Sequence, residues 1–475
     1  MLKLRSYQKD MVKAQRKFML SPDVRKGKIF SPTGSGKTVV FDVMIDEEFK
    51  RGDEENTKKK ICIVYPRIAL ALDQQGRLRE KKNVEFTSFH SGGVEASVDT
   101  SSRKQIGTTS VEELKEIIDT TDKHHITICS YNSFSKISNL DFDLIICDEA
   151  HYLVQRQFSD ALEKIESKVI FYTATPINAT DELINKEIVN GMNNERLFGK
   201  DLCNIKPQGL IEKGYIVKPL LVELRILTDE QGCAIKHHIA IAHAFKDQKK
   251  RLNKITNKML VAMSNTQNFS TIENHISEMN GIIGSNIDLY IITAGTQRKN
   301  GINLPSRETA LKDFDENKRQ SIILHCDTLA EGIDVPGITG VFIFRGLSKA
   351  KFIQTVGRAA RPCSADMDDD GEVIDIFNRL KPNAIVTIAR VDNKYYANID
   401  SQMLCEAFIE GGYGDSVKDI TQFIDEDAVS DISSNSNTNA VNANSTFNKK
   451  SLTYSHINDI TTEKVKLNLL SKWIF

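Results

Sequence analysis

Residues Ser31–Thr38 read SPTGSGKT, between the apolar run KIF and the helical pattern VVFDVMIDEEF. Glycines at this spacing let backbone N–H groups converge on phosphate oxygens at a helix N-terminus. Lys37 is placed to reach β- and γ-phosphates, and Thr38 to hold Mg²⁺. A strict GxxxxGK[ST] pattern fails here, because Ser31 stands where its first glycine should be. Further on, DLIICDEAH puts Asp148 and Glu149 at the end of an apolar strand. Ligands of parallel sheets gather at carboxyl ends of strands. There an aspartate can hold Mg²⁺ while a glutamate orients and deprotonates water. The competing reading of the same pair is an acidic first turn of a helix.

These side chains need a scaffold. Short apolar runs recur along the chain: GKIFS, KICIVYP, HITICSY, DLIICDEA, KVIFYTATP, KMLVAMSN, LYIITAG, SIILHCDT, GVFIFR and NAIVTIARV. Apolar runs without alternation suit parallel strands buried on both faces, so the chain is expected to be α/β. Two blocks are expected, 1–205 and 220–400, joined by a Pro- and Gly-containing connector at 206–219. Residues 401–475 form an acidic, Ser/Asn-rich tail, whose stretch DISSNSNTNAVNANSTFNKK is expected to be disordered. The final KVKLNLLSKWIF reads as a frayed end, with a helix or peptide docking on a protein partner as the alternative.

With 475 residues, the chain has room for two or three domains. Its 63 basic and 64 acidic residues exclude a polycationic nucleic-acid coat. The eight cysteines include no CxxC pair and read as reduced core thiols. No apolar stretch is long enough for a membrane span, and MLKLRSYQKD lacks a signal peptide's apolar centre. A cytoplasmic or nuclear, non-secreted protein without a membrane partner is expected.

SPTGSGKT, DEAH (148–151), TAT (173–175) and QTVGRAAR (354–361) stand in the order of motifs I, II, III and VI of superfamily 2 helicases and translocases, which the chain resembles over about residues 4–361. The opening LRSYQ is similar to the adenine-reading entry of the group holding restriction translocase subunits and excision-repair helicases. That resemblance implies two RecA-like lobes, each a mostly parallel sheet sandwiched by helices, with ATP and Mg²⁺ between them. It implies that Gln8 reads adenine, that Arg5 packs on the base, and that Thr33, Gly34, Ser35 and Gly36 complete the phosphate loop. IILHCDTLAEGIDVPG (322–337) matches motif V, so Gly332 and Asp334 are expected near the nucleotide and Thr328 on the nucleic-acid backbone.

In motif VI, Arg358 and Arg361 are three apart and Gln354 lies four before Arg358, spacing that predicts one helix face. The resemblance makes the two arginines γ-phosphate partners as charge develops in the transition state. His151, Thr173 and Thr175 are the implied links between hydrolysis and lobe closure. Pro66 and Arg67 match motif Ia, Ser130 and Ser133 the next backbone-contacting motif, and Ser264 of VAMSN the weakly defined motif IV. Tyr131 and Phe134 are candidates for base stacking, with core packing as the equal alternative.

Two local features are ambiguous. Residues 236–258 carry seven Lys/Arg against Asp247 alone, either a solvated helix face or a phosphate-tracking edge. Asp366, Asp368, Asp370 and Gly371 open like a calcium loop, but Phe377 stands where its bidentate Glu belongs, so an acidic loop before a strand EVIDIF is expected.

The function expected is an ATP-driven helicase or translocase, with DNA favoured over RNA by the LRxYQ entry. The alternatives are an RNA helicase, the motor subunit of a restriction or defence nuclease whose cleavage comes from a partner, and a binder with a decayed motor. A P-loop kinase or GTPase has no need of a second lobe carrying QxxGRxxR. Residues 1–400 hold 57 basic and 54 acidic residues, a net of +3, and 401–475 hold 6 and 10, a net of −4. The near-neutral total therefore combines a mildly basic motor with an acidic tail that could compete for its groove.

Overall fold

The computed structural model describes residues 4–68, 71, 78, 81, 83–91, 98–100, 103–179, 190–227, 236–252, 255–326, 337–363, 366, 368, 374–375, 379–391, 399–414 and 417–425. The chain divides into two units, one of Met1–Ile216 with Met367–Ile376, the other of Val217–Asp366 with Phe377–Phe475.

The first unit is built on strands β1 (Lys26–Phe30), β2 (Lys60–Tyr65), β3 (Val84–Phe89), β4 (Val98–Thr100), β5 (Arg103–Thr108), β6 (His124–Ser130), β7 (Leu144–Cys147), β8 (Val169–Thr173) and β9 (Lys200–Asn204). They are ordered β4-β5-β3-β6-β2-β7-β8-β1-β9, and every pairing is parallel except that of β4 with β5. Successive strand residues point to opposite faces. Because β6, β7 and β8 are buried at every position, both faces of the sheet are covered. Helix Ser6–Leu20 buries Tyr7, Met11, Val12, Phe18 and Met19, and helix Lys37–Glu54 buries Val40, Phe41, Met44, Ile45 and Phe49. That three-to-four spacing makes the apolar stripe of a helix laid on a sheet. Each such side chain contributes about 1.5–3 kcal/mol on burial.

With β1, β2, β6, β7 and β8 all parallel, the segments that follow Phe30, Tyr65, Ser130, Cys147 and Thr173 leave the sheet at the same edge. Phe30 pairs with Thr173, Tyr65 with Ser130, and Val64 with Cys147.

The second unit has β10 (Lys218–Leu227), β11 (Lys258–Met263), β12 (Asp288–Ile292), β13 (Gln297–Lys299), β14 (Ile302–Asn303), β15 (Ser321–His325), β16 (Gly340–Phe344), β17 (Asn383–Val391) and β18 (Val417–Asp425). Its order is β14-β13-β12-β15-β11-β16-β17-β10-β18, parallel except for the β12-β13-β14 edge. The sheet runs past residue 400: helix Ser401–Phe408 buries Leu404, Ala407 and Phe408, and β18 pairs with β10. The Ser/Asn-rich stretch and the C-terminal KVKLNLLSKWIF lie outside the described residues.

The expected strand EVIDIF is not found where it can be checked: Ile374 and Asp375 are not in a strand, and Ile374 is exposed. Asp366 is turned to another use, its carboxylate accepting from the backbone N–H of Leu380 at 2.7 Å and of Lys381 at 3.1 Å. Asp370 and Gly371 lie outside the described residues. Cys62, Cys129 and Cys147 are buried thiols, as expected, but Cys203, Cys326, Cys363 and Cys405 are partly exposed and Cys233 lies outside the described residues. No helix among the described residues is long and apolar enough to cross a membrane.

Candidate functional site

The loop between β1 and helix Lys37–Glu54 turns through two left-handed glycines, Gly34 with φ 81° and Gly36 with φ 77°. Ser31 has no such need, having no positive φ, which is why it can stand in place of glycine. Its backbone N–H donates to Thr173 O at 3.1 Å, and its hydroxyl lies 2.6 Å from Ser35 Oγ, bracing the loop. Lys37 is buried and donates to Ser31 O at 3.3 Å, while Thr38 is half-buried beside it on the first turn. Thr33 packs in the loop with its Oγ1 buried. The helix starts with no side-chain cap and no acidic residue in its first turn. Its first N–H groups and the positive end of its dipole are thus left for an anion.

Glu149 directly follows Asp148 after β7 and is held in the left-handed region, φ 52°. Such a conformation costs a non-glycine residue about 1 kcal/mol or more. The turn is pinned from three sides. Asp148 N–H donates to Val64 O at 2.9 Å, Glu149 N–H to Asp148 Oδ1 at 3.1 Å, and the Tyr131 hydroxyl to Asp148 O at 2.6 Å. Burial first, and then the Glu149 charge, push the Asp148 carboxyl up to about 7. Two adjacent acids in a dry site call for a cation, and the donor set, carboxylate plus the Thr38 hydroxyl, is of the hard-oxygen kind that suits Mg²⁺. Loop and acid pair together fit a magnesium-bound nucleoside triphosphate.

His151 sits 3.4 Å from Glu149 Oε2 through Nδ1, and the same nitrogen is 3.0 Å from Thr173 Oγ1 and 3.3 Å from Thr175 Oγ1. Thr175 N–H in turn donates to Thr173 Oγ1 at 3.1 Å. The three residues expected to couple are thus one hydrogen-bonded group, touching the acid pair at one end.

Gln8 is buried against the phosphate loop. Its Oε1 accepts from Arg5 N–H at 2.9 Å and its Nε2 donates to Ser35 O at 3.1 Å, an oxygen that also accepts from the Tyr7 hydroxyl at 2.8 Å. An amide has two lone pairs and two N–H donors. Each of these groups therefore keeps half its capacity, which is the paired acceptor and donor that an adenine edge requires. The Arg5 guanidinium lies 4.9 Å over the Tyr215 ring, whose centroid is 5.3 Å from that of Tyr7. Tyr215, from the expected connector, is an aromatic neighbour that the sequence did not signal.

In the second unit, Gln354 and Arg358 share a buried face of helix Lys349–Ala359. Arg361 does not share it. The helix ends at Ala359, because Pro362 disfavours helical backbone at the residue before it. Burial draws the Arg361 guanidinium below its usual range. What fixes this exit from the helix is Lys381, buried, whose Nζ donates to Ala359 O at 2.6 Å, Arg361 O at 2.7 Å and Ile338 O at 2.6 Å.

A family model described as "Type III restriction enzyme, res subunit" matches residues 1–178, and one described as "Helicase conserved C-terminal domain" matches residues 244–363. The chain belongs to the superfamily 2 helicases. Its first lobe is restriction-subunit-like and both lobes are RecA-like. Among solved structures, the helicase is similar to the ATP-dependent Type ISP restriction-modification enzyme LlaBIII bound to DNA, with TM-score 0.60 and 14% identity, over 89% of this chain and 31% of that one. It is also similar to a fragment of a putative HsdR subunit of a type I restriction enzyme from Vibrio vulnificus YJ016, with TM-score 0.53 and 17% identity, over 90% and 70% of the two chains. At these identities the likeness is one of fold. The helicase spans under a third of the LlaBIII chain's length. No curated protein matches it.

The candidate nucleic-acid residues of the helicase's first lobe stand on the shared carboxyl edge. Pro66 is half-buried and Arg67 exposed after β2. Ser130 ends β6 and caps the turn Tyr131–Phe134, accepting from Ser133 N–H at 3.4 Å and lying 3.2 Å from the Ser133 hydroxyl. Tyr131 and Phe134 are core residues, 2% and 0% exposed, so neither is available to stack on a base. In the second lobe Ser264 is exposed after β11, and its carbonyl accepts from the Cys326 thiol at 3.3 Å. Thr328, Gly332 and Asp334 lie outside the described residues.

The basic run 236–258 is not one uniform edge. Lys258 is buried with its Nζ on Phe314 O and Asp315 O, Arg251 pairs with Asp247 at 2.6 Å, and Lys249 donates to Ser285 Oγ at 3.1 Å. Lys254 lies outside the described residues.

Proposed function

We propose that this helicase is an ATP-driven translocase or helicase on duplex DNA. The observation that carries the reading is the convergence, at one edge of one parallel sheet, of the phosphate loop, the Asp148–Glu149 turn and the His151–Thr173–Thr175 group. DNA is favoured over RNA by the restriction-subunit likeness of residues 1–178 and by the Arg5–Gln8 entry.

In this reading the residues divide the work. Gln8 selects adenine, with Arg5 and Tyr215 at the base. Lys37 and the loop N–H groups of Thr33 to Thr38 hold the phosphates, and Thr38 and Asp148 would hold Mg²⁺, which would supply positive charge beside the γ-phosphate. Glu149, turned by its left-handed backbone, orients water and accepts its proton. Arg358 and Arg361 of the second lobe, with Gln354 beside Arg358, stabilise transition-state charge, so hydrolysis is coupled to closure of the lobes. Gly332 and Asp334 belong with the nucleotide. Pro66, Arg67, Ser130, Ser133, Ser264 and Thr328 contact the nucleic-acid backbone, which positions without reading sequence.

A second reading, the motor subunit of a restriction or defence nuclease, is favoured by the same family match. ATPase rates with single- and double-stranded DNA and RNA decide the substrate: strongest stimulation by duplex DNA is expected, and stimulation by RNA alone would overturn it. Co-purification of a nuclease would select the second reading.

A further inference from the structure

His238 at the start of helix His237–Leu252, His275 at the junction of helices Phe269–Asn274 and Ile276–Ile283, and Glu278 in the latter each offer one ligand atom, and the three atoms lie within 4.8 Å of one another. None of them belongs to the nucleotide or nucleic-acid machinery. His238 Nε2 and Glu278 Oε2 are 2.9 Å apart. The His238 and His275 rings stack with centroids 4.3 Å apart and planes 19° from parallel.

We propose that His238, His275 and Glu278 form a binding site for a divalent transition-metal ion of the zinc class. The tautomer of His275 supports this. Its Nδ1 lies 2.7 Å from Thr271 O, and a carbonyl only accepts, so in the neutral ring the proton sits on Nδ1 and the lone pair on Nε2. A histidine that donates its other nitrogen to a backbone carbonyl is the usual form of a metal ligand, oriented from behind. His238 is buried, and its Nε2, 2.9 Å from Glu278 Oε2, would exchange that contact for the ion. Glu278 supplies the one negative charge.

Two imidazoles and a carboxylate make a nitrogen–oxygen donor set suited to zinc rather than to Mg²⁺. Ligands about 2.0–2.1 Å from a tetrahedral ion stand roughly 3.4 Å apart. Closing the widest pair from 4.8 Å needs an approach of about 1.4 Å, with the His275 ring tilting out of the stack. Both His275 and Glu278 are exposed, so their side chains are free to make that adjustment. Lys236, whose charge is felt at His238, is exposed and screened by solvent. The ion would tie helix His237–Leu252 to helix Ile276–Ile283 and leave a fourth position open to water or a partner's ligand.

The test is a titration of the metal-stripped full chain with zinc chloride against a chromophoric chelator, repeated with cobalt(II) for its spectrum. One equivalent is expected to bind with visible d–d bands and no thiolate charge-transfer band. His275→Ala and Glu278→Gln, both at exposed positions, are each expected to weaken that binding at least tenfold with unchanged circular dichroism. Zinc is expected to raise the Tm of the wild type by about 2–4 °C and that of neither variant. Equal binding by wild type and both variants, a thiolate band from the partly exposed cysteines, or no stoichiometric binding would overturn the proposal and leave the cluster a metal-free clasp between helices.

Discussion

The hydroxyl of Tyr131 donates to the backbone oxygen of Asp148 at 2.6 Å, tying the turn after β6 to the acid turn after β7. Tyr131 is flanked by Ser130 and Ser133, the candidate backbone contacts, so a nucleic acid pressing on that turn can bear on Asp148 and Glu149 through one side chain. Tyr131→Phe is expected to lower stability by about 1 kcal/mol and to cut nucleic-acid stimulation of ATP turnover several-fold while basal turnover holds. Equal stimulation in the variant would remove Tyr131 from the coupling.

Gln8 makes a second contact of this kind, between the proposed adenine entry and the phosphate loop. Gln8→Ala removes both, and it is expected to raise KM for ATP about tenfold and to erase discrimination against GTP, with a smaller change in kcat. Gly36→Ala is expected to do more harm: its new Cβ would lie 2.6 Å from Gln8 Nε2 at a φ of 77°. Nucleotide titrations of both variants check the pair.

Lys381 holds three carbonyl oxygens at the exit of the motif VI helix. Lys381→Met strands them and is expected to cost roughly 3 kcal/mol in denaturant melts, because buried unpaired acceptors cost about 1–3 kcal/mol each. It is also expected to reduce kcat more than KM, since Arg358 and Arg361 flank the released carbonyls. A stability loss with kcat intact would make Lys381 purely structural.

His125, fully buried on β6, has its pKa driven down to about 4 by burial and then by Lys60. The unfolded chain protonates this group near the ordinary value of about 6.5, so the unfolded state binds more protons between those limits. Stability is therefore unaffected above about 6.5 and falls as pH drops toward 4. Between pH 7.5 and 5, wild type is expected to lose about 2 kcal/mol more than His125→Phe in denaturant melts. Parallel pH profiles would contradict this.

The central strands and the ends of both motor motifs were legible because apolar runs buried on two faces leave a continuous signature, as in LIIC of β7 and VIFYT of β8. Strands nearer the sheet edges were not. β3 and β5, with VEFTSF and RKQIGT, are too polar to stand out, and β10 starts inside the expected connector 206–219 and runs on to Leu227. The spacing of Arg358 and Arg361 suggested one helix face, but Pro362 ends the helix between them. Tyr131 offered two readings that only burial separates. Lys381 carries no motif, and its role depends on a turn distant in sequence. Ser31 broke a pattern without breaking the loop, because the backbone there has no positive φ.

The central claim is that Glu149, held at φ 52° beside Asp148, activates water at a phosphate loop in a nucleic-acid-stimulated ATPase. Steady-state ATP hydrolysis by wild type and Glu149→Gln, each with and without duplex DNA, tests it most directly. Wild type is expected to turn over ATP faster with DNA, and Glu149→Gln to lose at least about a hundredfold in kcat while still binding ATP. Turnover indifferent to DNA, or undiminished in Glu149→Gln, would contradict the account.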